Sequence, residues 1–166
     1  MAGEAEHRQP VLVELYTSQG CSDCPPADEI LADLARRSDV VALSFPVTYW
    51  DMLGWKDTFA SASNTNRQKA YAKALGRVGT YTPQIIVDGI EDVVGNKRHS
   101  VLSAVTRHYA LRRAAEPISL NAAYNAQNLT IEISGVAPES FTEDSGAKIW
   151  VMRVFGHASV AIEDGE

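Results

Sequence analysis

No apolar run in the chain approaches the ~18–20 residues that a helix needs to cross a bilayer, which excludes a transmembrane helix. Positive charge is scarce. Fifteen Lys and Arg stand against 21 Asp and Glu, for a formal charge of −6 and a pI near 5.2. Basic clusters go no further than pairs such as Arg36-Arg37 and Arg112-Arg113, so a polyanion such as nucleic acid is excluded as partner. The N-terminal stretch Met1 to Gln9 is polar and lacks the apolar core of a signal segment. The protein is therefore either cytosolic or exported with its signal segment already removed. Cysteine is scarcest of all, present only as Cys21 and Cys24. What the chain does have is apolar material: 45% of its 166 residues are hydrophobic, enough for a real core and too much for global disorder. The length suits one domain, or a domain of about 110 residues with an appended subdomain. We place the boundary between residues 10–115 and 116–166.

The two cysteines lie where a strand pattern, Val11 to Tyr16, gives way to a helix pattern from about Pro25 to Arg37. At a helix N-terminus, unpaired N–H groups and the macrodipole favour a thiolate. A bridge across two residues would add only about 2 kcal/mol as a structural staple. A zinc site needs four ligands, and the four histidines, His7, His99, His108 and His157, form no second pair. Thiol–disulfide exchange is the reading these residues favour. Cys21 is expected to be the more exposed member, with its sulfur facing free helix N–H groups and attacking a substrate disulfide. Cys24 then attacks the Cys21 sulfur and releases reduced substrate. Pro25 and Pro26 fit the first turn of the helix, where a missing N–H costs little. Asp23, with Asp28 and Glu29 a turn away, opposes the helix dipole and should make the couple more reducing.

Further along, Val40 to Phe45 reads as a buried strand that Pro46 ends. Thr48 to Lys56 is aromatic-rich and non-periodic, a loop in which Trp50 and Trp55 could wall a groove beside Cys21, although core packing is the commoner fate of such rings. A helix is predicted from about Thr65 to Leu75, with Asn64 as N-cap and Gly76 at C′. Thr82-Pro83 precedes the strand Gln84 to Val87. A cis bond there would leave the Thr82 backbone free to pair with an extended substrate, whereas a plain turn proline is the alternative. Asp88-Gly89 predicts a tight hairpin to a strand from about Ile90 to Val94. Asn96 then caps a helix to about Tyr109, with Val101, Leu102, Val105 and Tyr109 on one face and the buried part ending before Arg112. The β-α-β, helical insertion, β-β-α order predicts an α/β fold with a mixed four-stranded sheet and helices on both faces. Beyond Glu116, candidate strands at Ile118 to Tyr124, Leu129 to Ile133, Ile149 to Phe155 and Ala158 to Ile162, with a polar linker from Val136 to Gly146, predict a small β-rich subdomain.

Cys21-Ser-Asp-Cys24-Pro25, followed much later by Thr82-Pro83 and a hairpin-helix end, resembles the thioredoxin superfamily. The longer motifs Val13 to Asp28, Tyr49-Trp-Asp with Gly54-Trp-Lys-Asp57, Arg67-Gln68 with Ala70-Tyr71, and Tyr81-Thr-Pro-Gln with Val87-Asp-Gly89 resemble a secreted family catalogued as domain of unknown function 1223. That resemblance covers residues 10 to 110 well and the tail loosely. It implies a thioredoxin-like fold and an exported, periplasmic or secreted bacterial protein, with no established substrate. Where His and Asp are expected before Tyr49, this chain has Pro46 and Thr48, so no acid–base or metal role carries over there. The resemblance also points to Glu14, on the strand before the motif, as a buried acid accepting the Cys24 proton; a solvated strand-edge Glu is the alternative. The site expected is thus Cys21, Cys24, Glu14 and Pro83 for the chemistry, with Thr82, Tyr81 and Trp50 as substrate contacts. Its partner would be a protein or small-molecule disulfide or dithiol, with no cofactor beyond the cysteine pair. Two rivals from other classes stand beside it: a redox-inactive binding module with a structural disulfide, and a soft-metal carrier using both thiolates.

Overall fold

A computed structural model describes residues 9–114, 119–135, 150–156, 158 and 160. Strand β1 (Val11–Thr17) is followed by helix α1 (Pro25–Leu34), strand β2 (Val40–Pro46), a 3₁₀ turn (Asp51–Leu53) and helix α2 (Ala62–Ala74). Strands β3 (Gln84–Val87) and β4 (Glu91–Val94), then helix α3 (Arg98–Ala114), follow. The sheet order is β2-β1-β3-β4, with β1 parallel to β2 and antiparallel to β3, and β3 antiparallel to β4. This is the mixed sheet that the element order predicts.

β1 is central and alternates two buried faces. Val11, Val13 and Leu15 point into a core shared with Ala27, Ile30, Leu31 and Leu34 of α1 and Val101, Ala104 and Val105 of α3. Glu14 and Tyr16 point the other way, where Tyr16, Val47 and Ile86 pack under Tyr71 and Leu75 from α2 and its end. A strand covered on both sides has to answer for any polar residue it carries, and Glu14 is that residue.

Local signals set most element ends. Ser61 caps α2 by accepting the Asn64 amide, so the helix starts three residues earlier than expected; Asn64 lies inside it and donates its side-chain amide to the Pro46 carbonyl. Gly76 follows with φ +65, the left-handed value its C′ position calls for. Asp88 (φ 50) and Gly89 (φ 75) turn the β3–β4 hairpin as their dipeptide predicts. Pro46 is still in register with Thr17, and the Val47 amide bonds the Thr17 carbonyl, so pairing runs one residue past the expected stop.

Helix α3 corrects the reading of its face. Ala104 and His108 are buried, whereas Leu102 is 36% exposed. The ring nitrogens of His108 lie 3.0 Å from Asp88 and 3.1 Å from Glu91, and Arg112 makes a two-pronged ion pair with Asp88. A polar cluster at the hairpin end thus replaces the expected apolar contact. The Asn96 side-chain oxygen is buried without a partner among the described residues, so it does not cap α3.

In the tail, β5 (Ser119–Tyr124) and β6 (Leu129–Ser134) pair antiparallel as a two-stranded sheet. Leu129 and Ile133 alternate as predicted but are 47% and 52% exposed. Residues 150–156 form no strand, contrary to expectation. The linker Val136 to Gly146 and most of Ala158 to Ile162 lie outside the described residues.

Candidate active site

The ends of β1 and β2 and the start of α1 lie at one edge of the sheet, and the dithiol sits there. Cys21 and Cys24 form a disulfide, with Cα atoms 5.4 Å apart. Cys24 is the N-cap residue of α1, and Pro25 and Pro26 occupy its first two positions. The amides of Ala27 and Asp28 both bond the Cys24 carbonyl, and the Cys24 amide bonds the Cys21 carbonyl. With two prolines and two engaged amides, the first turn has no free N–H for a thiolate at position 21. That expectation is corrected: only the macrodipole remains to favour the charge. Cys21 is the more exposed of the two, as expected, but by little: it is 3% exposed and Cys24 fully buried, while Ser22 and Asp23 between them face solvent.

Three loops are tied to one another near the start of α1. The first is the Ser18–Gly20 approach, held by the insertion between β2 and α2. Asp57, itself buried, accepts the Gln19 amide at 3.0 Å, and the Trp55 indole donates to the Gln19 side chain at 2.8 Å. The second is the insertion itself, whose Trp50 donates its indole N–H to the Thr82 hydroxyl at 2.7 Å. The third is the Thr82–Pro83 loop, whose peptide bond is cis. Gly95, at the end of β4, makes the approach of this loop to α1 possible. A Cβ there would come within 3.0 Å of Pro83 and 3.1 Å of Ala27. Among the described residues, no hydrogen bond uses the Thr82 amide or carbonyl.

The family-type motif on α2 turns out to hold this loop rather than to do chemistry. Gln68, fully buried, donates to the Tyr81 carbonyl at 2.8 Å and to the Gln84 side chain at 2.9 Å, and accepts from the Tyr49 hydroxyl. The Tyr81 hydroxyl donates to Asp92, which also receives Arg77. Burial, then the Asp92 charge, pushes the Tyr81 phenol up to about 12. Tyr81, expected as a substrate contact, is therefore a brace behind Thr82. Nothing in the sequence around Gln68 announces that role beyond its place in the motif.

Glu14 is fully buried, which rules out a solvated edge, but the structure also corrects its assignment to Cys24. Its carboxylate receives Arg67 Nε at 2.7 Å and the Tyr71 hydroxyl at 2.5 Å, both from α2 on the face opposite α1. Burial pulls the Arg67 guanidinium down, but the bond and charge of Glu14 outweigh it and hold it above its ordinary value. The guanidinium also lies over the rings of Phe45, Tyr71 and Trp150 at 5.6, 5.3 and 5.2 Å. Glu14 is half of an ion pair.

Sequence reasoning cast Asp28 only as a nearby charge. Its side chain reaches solvent, yet the protein crowded around it raises its carboxyl, and Asp57 adds to this. The hydroxyl of Thr17, 3.3 Å away, pulls the other way, and the balance stands at about 6. Among the described residues, no group of three or more His, Cys, Asp or Glu is placed to hold a metal ion.

A dithiol at the N-cap of the first helix, on a β2-β1-β3-β4 mixed sheet with a proline loop against that helix, defines a thioredoxin-like protein. More narrowly, the chain belongs to the family described as protein of unknown function DUF1223, whose model matches residues 12–166. An Agrobacterium tumefaciens protein known from its X-ray crystal structure is 39% identical, with a TM-score of 0.69, and the match covers 78% of this chain. The chain spans 58% of the length of that relative. Malassezia sympodialis thioredoxin is 15% identical with a TM-score of 0.40, the match covering 61% of this chain and 79% of that one. Pseudomonas aeruginosa DsbA is 12% identical with a TM-score of 0.44, over 65% of this chain and 88% of its own. No curated protein matches the chain.

Proposed function

We propose that this protein is a thiol–disulfide oxidoreductase, exported to the periplasm or beyond, that exchanges its Cys21–Cys24 disulfide with a protein or small-molecule dithiol without an organic cofactor. One observation carries the reading: the disulfide sits at the N-cap of α1, the Pro83 loop comes up to Ala27 of that helix, and among the described residues no hydrogen bond uses the amide or carbonyl of Thr82. In the reducing direction, the Cys21 thiolate attacks one sulfur of the substrate disulfide and the other leaves as thiolate. Cys24 loses its proton, attacks the Cys21 sulfur, and the second substrate sulfur departs as the 21–24 bond closes. Run backwards, the same steps oxidise a dithiol. The Thr82 backbone offers an extended substrate one donor and one acceptor next to the reacting sulfurs.

Cys24→Ala removes the resolving thiol. Cell extracts should then yield adducts covalently held at Cys21, released by reductant and identified by mass spectrometry, while Cys21→Ala yields none. A second reading draws on the 3% exposure of Cys21 and the engaged first turn of α1: a redox-inactive binding module whose disulfide fixes the loop. It predicts no adducts, and a Cys21→Ala/Cys24→Ala variant that still binds its partner.

A further inference from the structure

We propose that Trp50 is a positioning residue of the dithiol site. Its indole N–H ties the Thr82 loop to the insertion that also holds the Gln19–Gly20 approach to Cys21, and so sets the gap in which an extended peptide disulfide is gripped. This rests on the exchange reading above and says which residue tunes it.

The insertion is anchored on both sides of the dithiol. On one side, Asp57 and Trp55 hold Gln19 by its amide and its side chain, two residues before Cys21. On the other, Trp50 Nε1 donates to Thr82 Oγ1 at 2.7 Å, one residue before Pro83. Trp50 also backs Gly20: a Cβ on that glycine would stand 3.5 Å from the Trp50 Cβ. The segment between these anchors is itself tied down. Thr48 takes its amide to Thr65 of α2, Leu53 bonds back to the Trp50 carbonyl, and the Asp57 amide reaches Asp51. One stiff segment thus joins the approach to Cys21 to the Thr82–Pro83 loop.

Packing alone does not require tryptophan here. Its ring lies 6.5 Å from that of Tyr49 and is only half-buried, a place phenylalanine would fill. What phenylalanine lacks is a donor for the Thr82 hydroxyl. With that bond made, the Thr82 amide and carbonyl keep one orientation relative to Cys21. Without it, the loop has to be ordered by the substrate at the expense of affinity.

The test is steady-state reduction of a peptide disulfide by the full chain, with a small-molecule dithiol in excess returning Cys21–Cys24 to the reduced state, comparing Trp50→Phe, Thr82→Val and Thr82→Ser. Trp50→Phe and Thr82→Val should each raise KM about three- to tenfold with kcat within about twofold, the range one hydrogen bond supplies. Thr82→Ser keeps the acceptor and should match the wild type. The double variant should be no worse than Thr82→Val alone, because that substitution already removes the acceptor of the Trp50 bond, along with the contact of the same hydroxyl with Tyr49. Unchanged KM in the two single variants, additive losses in the double variant, or failure of Thr82→Ser to preserve KM would each overturn the proposal. A wild type that reduces no disulfide would instead overturn the exchange reading, and this one with it. Should Trp50→Phe unfold, the isosteric pair Thr82→Val and Thr82→Ser carries the comparison alone.

Discussion

Replacing Arg67 with Met should leave the Glu14 carboxylate stranded in the middle of β1. The side chain of Glu14 is 0% exposed and that of Arg67 19%, and Arg67 supplies the only counter-charge in contact with that carboxylate among the described residues. Removing one partner of a buried pair costs about 3–5 kcal/mol. The Tyr71 hydroxyl still donates to Glu14, and Arg67 is not wholly desolvated, which argues for the lower end, about 3 kcal/mol. At a urea slope of about 2 kcal/mol/M for a chain of this size, the unfolding midpoint should fall by about 1.5 M. Adding Glu14→Leu removes the stranded charge and should recover about 2 kcal/mol, leaving the Tyr71 hydroxyl without its acceptor. Urea unfolding of the wild type and the two variants measures both numbers. A loss under about 1 kcal/mol for Arg67→Met, or a double variant no more stable than the single one, would refute the argument that this pair is the polar centre of the α2 face. The double variant has a second use. Because Glu14 faces away from α1, its disulfide-exchange rate should stay within about twofold of wild type, compared with the about 10²–10⁴-fold that loss of a general base costs. A collapse of exchange would restore Glu14 as the acceptor of the Cys24 proton.

Gln68→Leu strands the Tyr81 carbonyl and the Gln84 side-chain oxygen and takes one partner from the Tyr49 hydroxyl. It should cost about 2–4 kcal/mol. In a thermal melt that is a fall of about 4–16 °C, and an unchanged Tm would contradict the network. Asp28 has its carboxyl raised to about 6, so the folded state holds that proton more tightly than the unfolded one. Its contribution to stability is full below about pH 4 and lost as pH rises through about 6. Asp28→Asn should flatten the stability curve between those values and be more stable at pH 7, by no more than about 1 kcal/mol because the side chain reaches solvent. A pH series of denaturant midpoints reads this directly. Asp23→Asn removes an exposed carboxylate between the cysteines and should shift the couple toward oxidising by on the order of 10–30 mV in glutathione equilibration. A shift toward reducing would show that the charge does not act on the Cys21 thiolate.

What the chain determined by itself is whatever one strand, one turn or one helix can decide. Apolar alternation marked β1, Asp88-Gly89 marked the hairpin, Gly76 marked the end of α2, and the cysteine spacing beside two prolines marked the dithiol. Each rests on dihedral preferences and neighbours within a few residues. The tertiary structure alone decided who answers for Glu14, because its partners Arg67 and Tyr71 lie 53 and 57 residues away. It also decided that Cys21 is nearly covered, that Tyr81 braces the Pro83 loop from behind, and that Trp50 meets Thr82 across 32 residues. The periodicity of α3 could not show that His108 would be buried in place of Leu102, since the polar pocket that accepts it is made by Asp88 and Glu91 on another element. A pattern says which face is covered; only the returning chain says with what, and for buried polar groups the partner sets the role.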